Sequence, residues 1–152
     1  MSGTATVTIG ESQWDVEVAT TSTELAQGLG NRAPIPEYTG MLFDLGGERV
    51  VTVNAYEMLF PLSVVFIDED LKVTEVAPLL EVGDDITTGL PCRYFLETNE
   101  GEVDDVNPGD LVTIAGYTPP TPTTSSVFGL MVTMMIVVMM MQMMMKTMKE
   151  VK

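Results

Sequence analysis

The sequence contains no histidine. That removes imidazole acid–base catalysis, Ser-His-Asp triads and histidine metal sites together. Its single cysteine, Cys92, excludes a disulfide within the chain, and without histidine it is a poor start for a zinc site or a thiol nucleophile. Beside a β-type run it reads as a small, half-buried residue. Basic residues are scarce too: seven against 22 acidic ones, a formal net charge of −15. Nucleic acid is not an expected partner, because affinity for a phosphate backbone comes mostly from Lys and Arg. Lys146, Lys149 and Lys152 against Glu150 give the tail +2, so residues 1 to 145 carry −17. Such a surface repels its own kind and attracts cations or basic partners. No motif calls for a cofactor. The N-terminus, MSGTATVTIG, lacks both a basic n-region and an apolar h-region and does not read as a signal peptide.

What the chain does have is β patterning, organised around Pro61 to Val76. Leu62, Val64, Val65, Phe66 and Ile67 form an apolar run rich in β-branched residues, and Asp68, Glu69 and Asp70 break it. Leu71, Val73 and Val76 then resume among polar neighbours. Two β-type runs around a tight polar break predict a hairpin, the first strand buried on both faces and the second wet on one. Upstream, Ala5, Val7 and Ile9, then Trp14, Val16 and Val18, alternate with polar residues as two strands. Thr21 followed by Glu24 fits a capping box ahead of Leu25, Ala26 and Leu29, so a helix of about two turns is expected there, ended by Gly28 and Gly30. Short strands are expected at Met41 to Leu45, stopped by Gly46-Gly47, at Arg49 to Val53, at Arg93 to Thr98 and at Leu111 to Ala115. Ala77 to Leu90 reads as a long loop with one short strand at most. Asn107-Pro108-Gly109-Asp110 places Pro and Gly where a type II turn wants them. About eight close-spaced strands and one small helix argue for an all-β sandwich or barrel over residues 1–117.

Two further segments follow. Residues 118–126, TPPTPTTSS, read as an extended stalk. Residues 127–145 are uncharged, and at ~1.5 Å per residue a helix of that length matches a bilayer core of about 30 Å. A single transmembrane helix is therefore expected, running from Val127, Phe128 and Leu130 to Met145, with Lys146 and Lys149 as headgroup anchors and residues 146–152 as a basic tail. The expected partner is the lipid bilayer. The lysines favour a cytoplasmic C-terminus, whereas the lack of a leader favours a tail-anchored domain kept inside; the side of the β domain stays open. Met131, Met135, Met139 and Met143 recur every four residues, either as thioethers for Cu(I) or as adaptable apolar filler, and the filler is the plainer reading because methionine covers most of the helix surface. Gln142 fits a hydrogen bond between copies, hence a homo-oligomer, or simply the membrane interface.

The motifs in order resemble the domain of unknown function 192 family. They are Glu24, Gly28, Leu29 and Arg32; Gly40, Met41, Leu42 and Phe43; Phe60, Pro61, Leu62, Phe66, Ile67 and Asp68; Tyr94, Leu96 and Glu97; and Gly109, Asp110 and Val112. The likeness covers roughly residues 13–115. It implies a compact, mostly β, jelly-roll-like domain, often secreted or membrane-linked, with no established activity. Two departures stand out. The family's aromatic-Met-Lys-Asn-Thr-like stretch is here Val53, Asn54, Ala55, Tyr56, Glu57 and Met58, and its usual Met after Gly-Leu is Gly30.

Four residues are candidate ligand contacts: Arg32, Asp68, Glu97 and Tyr56. Arg32, one of four basic residues before the tail, should meet a carboxylate, with Glu97 and Asp68 as candidate partners. That is either a structural ion pair or a guanidinium clamp for an anionic ligand. Asp68, Glu69 and Asp70 offer oxygens for Ca²⁺ but lack EF-hand spacing, so solvated turns are the plainer account. Paired carboxylates for glycoside hydrolysis have no supporting spacing. Two functions follow: a non-catalytic binding or assembly module on a membrane anchor, or a ligand-binding or enzymatic domain using the loops around Arg32, Asn54 to Phe60 and Glu97. A concave pocket between those loops would favour the second.

Overall fold

The computed structural model describes residues 3–121 and Gln142. The chain divides into Met1–Pro119 and Pro120–Lys152. The second unit lies almost wholly outside the described residues, and with it most of the stalk, the Val127 to Met145 segment, its methionine series and the basic tail. Among the described residues no helix is long and apolar enough to cross a membrane. The expectation of a transmembrane helix, and of a membrane location built on it, is corrected accordingly. Hydropathy and length were its whole basis, and no described element embodies them.

The first unit runs β1 (Thr4–Ile9), β2 (Ser12–Ala19), α1 (Ser22–Gln27), β3 (Thr39–Arg49), β4 (Thr52–Asn54), β5 (Leu62–Ile67), β6 (Val73–Leu80), β7 (Asp85–Thr87), β8 (Cys92–Asn99) and β9 (Val112–Ala115). Seven strands form one sheet in the order β6-β5-β8-β3-β2-β1-β9, and β4 pairs with β7 as a separate ribbon. The sheet curls into a half-barrel. Its outermost strands meet at one end: Lys72 bridges Leu111, and the Val112 N–H donates to the Leu71 carbonyl at 2.8 Å.

Curling gives the sheet two cores. Inside lie Val7, Trp14, Val16, Leu42, Val65, Ile67 and Leu96. Outside, under the α1 segment and the β4–β7 ribbon, lie Leu29, Met41, Phe43, Val64, Phe66 and Phe95. The period of two explains the assignment, since neighbours such as Val64 and Val65 must point to opposite faces. All six residues of β5 are buried because both of its faces are covered. Each fully buried large apolar side chain contributes about 1.5–3 kcal/mol.

Several expectations hold. The hairpin forms, β5 against β6, with β6 half wet, but it lies at one edge of the sheet and not in its middle. The capping box is complete, with Thr21 accepting from the Glu24 N–H and Glu24 accepting from the Thr21 N–H. Gly109 has φ +93°, as a type II turn requires. The expected jelly-roll-like sandwich or barrel is corrected to one curled seven-stranded half-barrel with a two-stranded ribbon. Its β2–β3 pair is parallel, because the crossover carrying α1 returns the chain in the direction it left. Gly46-Gly47 does not stop β3. The strand passes through them with a register shift between Asp44 and Arg49, where Gly46 takes φ +80° and its N–H donates to the Asp44 carboxylate.

Candidate functional site

A cavity of about 430 Å³ opens on the outer face of the sheet. Three elements build it. The first is the end of α1, where Gly28 leaves the helix at φ +50° and its N–H caps the Glu24 carbonyl at 2.9 Å. The second is the Asn54 to Met58 loop, tied to the β6–β7 turn by Ala55 N–H to the Asp84 carbonyl and Gly83 N–H to the Ala55 carbonyl. The third is the sheet itself, from which Phe43, Phe95 and Glu97 project. Phe43 and Phe95 sit on adjacent strands in direct register and stack with centroids 4.2 Å apart and planes 12° from parallel.

Gly28 is required twice over. Its φ belongs to the left-handed region, and a Cβ there would stand 2.9 Å from Phe43 Cζ and 3.7 Å from Glu97 Oε2. Gly30, one of the two departures from the resembled pattern, lines the same cavity: a Cβ would meet the Gln27 carbonyl at 2.9 Å and Glu57 Cβ at 3.3 Å.

Glu97 is the unusual group. Six polar or charged residues of the described chain are buried: Asp44, Ser63, Thr88, Arg93, Glu97 and Thr98. Asp44 pairs with Arg93 at 3.1 Å and accepts from the Tyr117 hydroxyl at 2.6 Å. Ser63 donates to the Pro78 carbonyl, Thr88 accepts from the Val51 N–H, and Thr98 donates to the Asn99 carbonyl. Only the Glu97 side chain has no hydrogen-bonding or ionic partner among the described residues, and no buried side-chain oxygen is both sealed and unsatisfied, so its carboxyl faces the cavity. The residue is 5 % exposed. Burial pushes its carboxyl up from 4.5 to about 8, so at neutral pH it holds a proton.

Of the four expected contact residues, the structure brings two together. Tyr56 and Glu97 line the one cavity, with Asn54, Glu57 and Met58 between them in sequence or space. The Tyr56 hydroxyl donates to Asp85, which together with that carboxylate's charge holds the phenol above its ordinary range. Arg32 is elsewhere: it pairs with Glu17, neither Glu97 nor Asp68, and lines two other clefts. Asp68 closes the β5–β6 turn, its carboxylate accepting from the N–H groups of Asp70 and Lys72 at 2.9 and 3.0 Å. No group of three or more His, Cys, Asp or Glu side chains suited to a metal ion occurs among the described residues. The membrane-anchor residues Val127, Phe128, Leu130, Met145, Lys146 and Lys149 lie outside them.

Sequence reasoning missed the Asp44–Arg93–Tyr117 network and the role of Phe95. A signal existed for the first: Asp44 and Arg93 interrupt two apolar runs, and buried charges come in pairs. Cys92 is fully buried, and burial, first, raises its thiol to about 11, which makes it inert.

Fold and cavity together define a β-rich domain with a half-open cavity on the outer face of its sheet. The chain belongs to the domain of unknown function 192 family, DUF192, described as uncharacterized ACR, whose profile matches residues 5–114. No curated relative matches. Among solved structures, the chain is similar to a Sinorhizobium meliloti 1021 protein described as a candidate transcription regulator. That likeness has 29% identity and a TM-score of 0.71 over 76% of this chain and 96% of that one. It is also similar to a Novosphingobium aromaticivorans protein of unknown function, at 27% identity and a TM-score of 0.65, covering 72% and 83% of the two chains.

Proposed function

We propose that the domain is a non-catalytic binding module that takes one small molecule into the cavity beside α1. One observation carries the reading: a buried carboxyl without a partner among the described residues opens into a cavity whose walls are otherwise largely satisfied or apolar. Leaving a buried polar group unpaired costs about 1–3 kcal/mol, which a ligand returns by pairing with it. The volume falls within the range of about 300–1,000 Å³ typical of small-molecule sites. A catalytic reading would need a second reacting group positioned on Glu97, and Tyr56 is instead tied to Asp85. Regulation of transcription, suggested by the description of the Sinorhizobium protein, would here run through ligand sensing, because a net charge of −15 opposes direct contact with DNA.

The test is a fragment screen by ligand-observed NMR on the wild type and on Ala26→Trp. Ala26 is an exposed helix residue lining the cavity, so the indole blocks the site and leaves the core intact. Fragments of roughly 0.1–1 mM affinity are expected to bind the wild type and be lost in the variant. No binders, or binders indifferent to the indole, would overturn the proposal.

A further inference from the structure

We infer that the occupant of this cavity is an organic cation, a protonated amine on a compact apolar or aromatic body, seated with its charge at Glu97 and its body on the Phe43–Phe95 stack. This rests on the binding reading above and narrows it to a chemical class.

The lining decides the sign of charge. It holds two carboxyl groups, Glu97 and Glu57, and no Lys or Arg. An anionic ligand would find no basic partner here, and it could not draw the proton off Glu97 as a cation can. Arg32, the nearest basic residue in sequence, is engaged with Glu17 away from this cavity. Aromatic faces carry negative electrostatic potential, and two stacked rings in the wall favour a cation over a neutral group of equal size. A bare divalent ion is a poorer fit, since two carboxylates do not complete a coordination shell. The acidic surface adds a field that concentrates cations near the mouth.

The same geometry couples binding to a proton. In the empty cavity Glu97 is a neutral acid. When an ammonium group arrives, the carboxyl gives its proton to solvent and the carboxylate pairs with the N–H donors; the pair is neutral overall and one H⁺ leaves. The other titratable groups lining the cavity are Glu57 and Tyr56 on the loop after β4, with Asp85 bonded to Tyr56; Glu24 on α1 lines a different cleft, and its carboxylate serves the capping box. The flanking positions of β3 and β5, Met41 and Val64, have no charge.

Isothermal titration of the full-length protein with benzylamine and with its neutral isostere benzyl alcohol tests the inference, each at pH 7 in two buffers of different ionisation enthalpy. Benzylamine is expected to bind about tenfold or more tighter than the alcohol and to release close to one proton per molecule bound. Below pH 8 its affinity should rise about tenfold per pH unit. Glu97→Gln should abolish the proton release and the preference for the amine, with an unchanged circular dichroism spectrum showing that the variant is folded. Equal affinity for the two probes overturns the cation assignment and leaves the binding module standing, and amine binding without proton release overturns the proton coupling. Failure of both probes to bind overturns the two together.

Discussion

Glu97 sits where a glutamate is hardest to keep, and the consequence is measurable without a ligand. Below pH 4.5 folded and unfolded chains both hold its proton. Between 4.5 and about 8 the folded state holds more protons than the unfolded one, so this side chain makes stability fall as pH rises, and above 8 the full cost of a buried charge has accrued. Glu97→Gln keeps the shape and removes the titration. Its stability relative to wild type should climb by roughly 2–4 kcal/mol between pH 5 and pH 8.5, read from urea unfolding at each pH. A difference independent of pH would mean that the carboxyl is solvated. The residue was visible in the sequence as an acid following the Tyr94-Phe95-Leu96 run, and Tyr56 as part of a departure from the family pattern. That they meet was not visible, because Tyr56 reaches the cavity on a loop whose position depends on backbone bonds to Ala55 from the distant β6–β7 turn. Arg32 meets Glu17 and neither Glu97 nor Asp68 for a simpler reason: scarcity of cations guarantees it a carboxylate but not which one.

At the scale of elements, α1 is six residues long and buries none of them, so its caps matter more than its packing. Thr21→Ala removes the side-chain acceptor for the Glu24 N–H and should cost about 1 kcal/mol by denaturant unfolding. Because Gly28 hangs from the last turn of this helix, the same change should weaken binding of any cavity probe severalfold. An unaltered affinity would show that the helix end is held by Leu29 and its core contacts alone. The capping box was legible because its residues are adjacent in sequence, and the alternation of β1, β2 and β5 was legible for the same reason. The parallel pairing of β2 with β3 was not, since a strand's pattern tells which face is buried and not which neighbour it chooses. Gly46-Gly47 misled because a glycine pair marks a bulge as readily as an end.

The whole molecule carries 22 acidic and seven basic residues, few of which are in ion pairs among the described residues. Self-repulsion therefore opposes compaction, and salt should relieve it: at 1 M the screening length is about 3 Å, against about 10 Å at 0.1 M. Raising NaCl from 0.1 to 1 M should lift the thermal midpoint, with each 1 kcal/mol gained worth roughly 4–8 °C for a domain of this size. A midpoint that falls with salt would point to attractive pairs outweighing the repulsion.

The pairing of β1 with β9 has a consequence for how the protein is made. Thr6 lies opposite Ala115 and Ile9 opposite Val112, so the first strand of this sheet in chain order waits for the ninth described one before its outer margin is sheltered. Until then a row of unbonded peptide groups is open to any passing extended chain, which is the ordinary route to aggregation for slow, long-range β assembly. Pulse-labelled hydrogen exchange during refolding should find the β1 amides that bond to β9 among the last to gain protection, after those shared by β5 and β8.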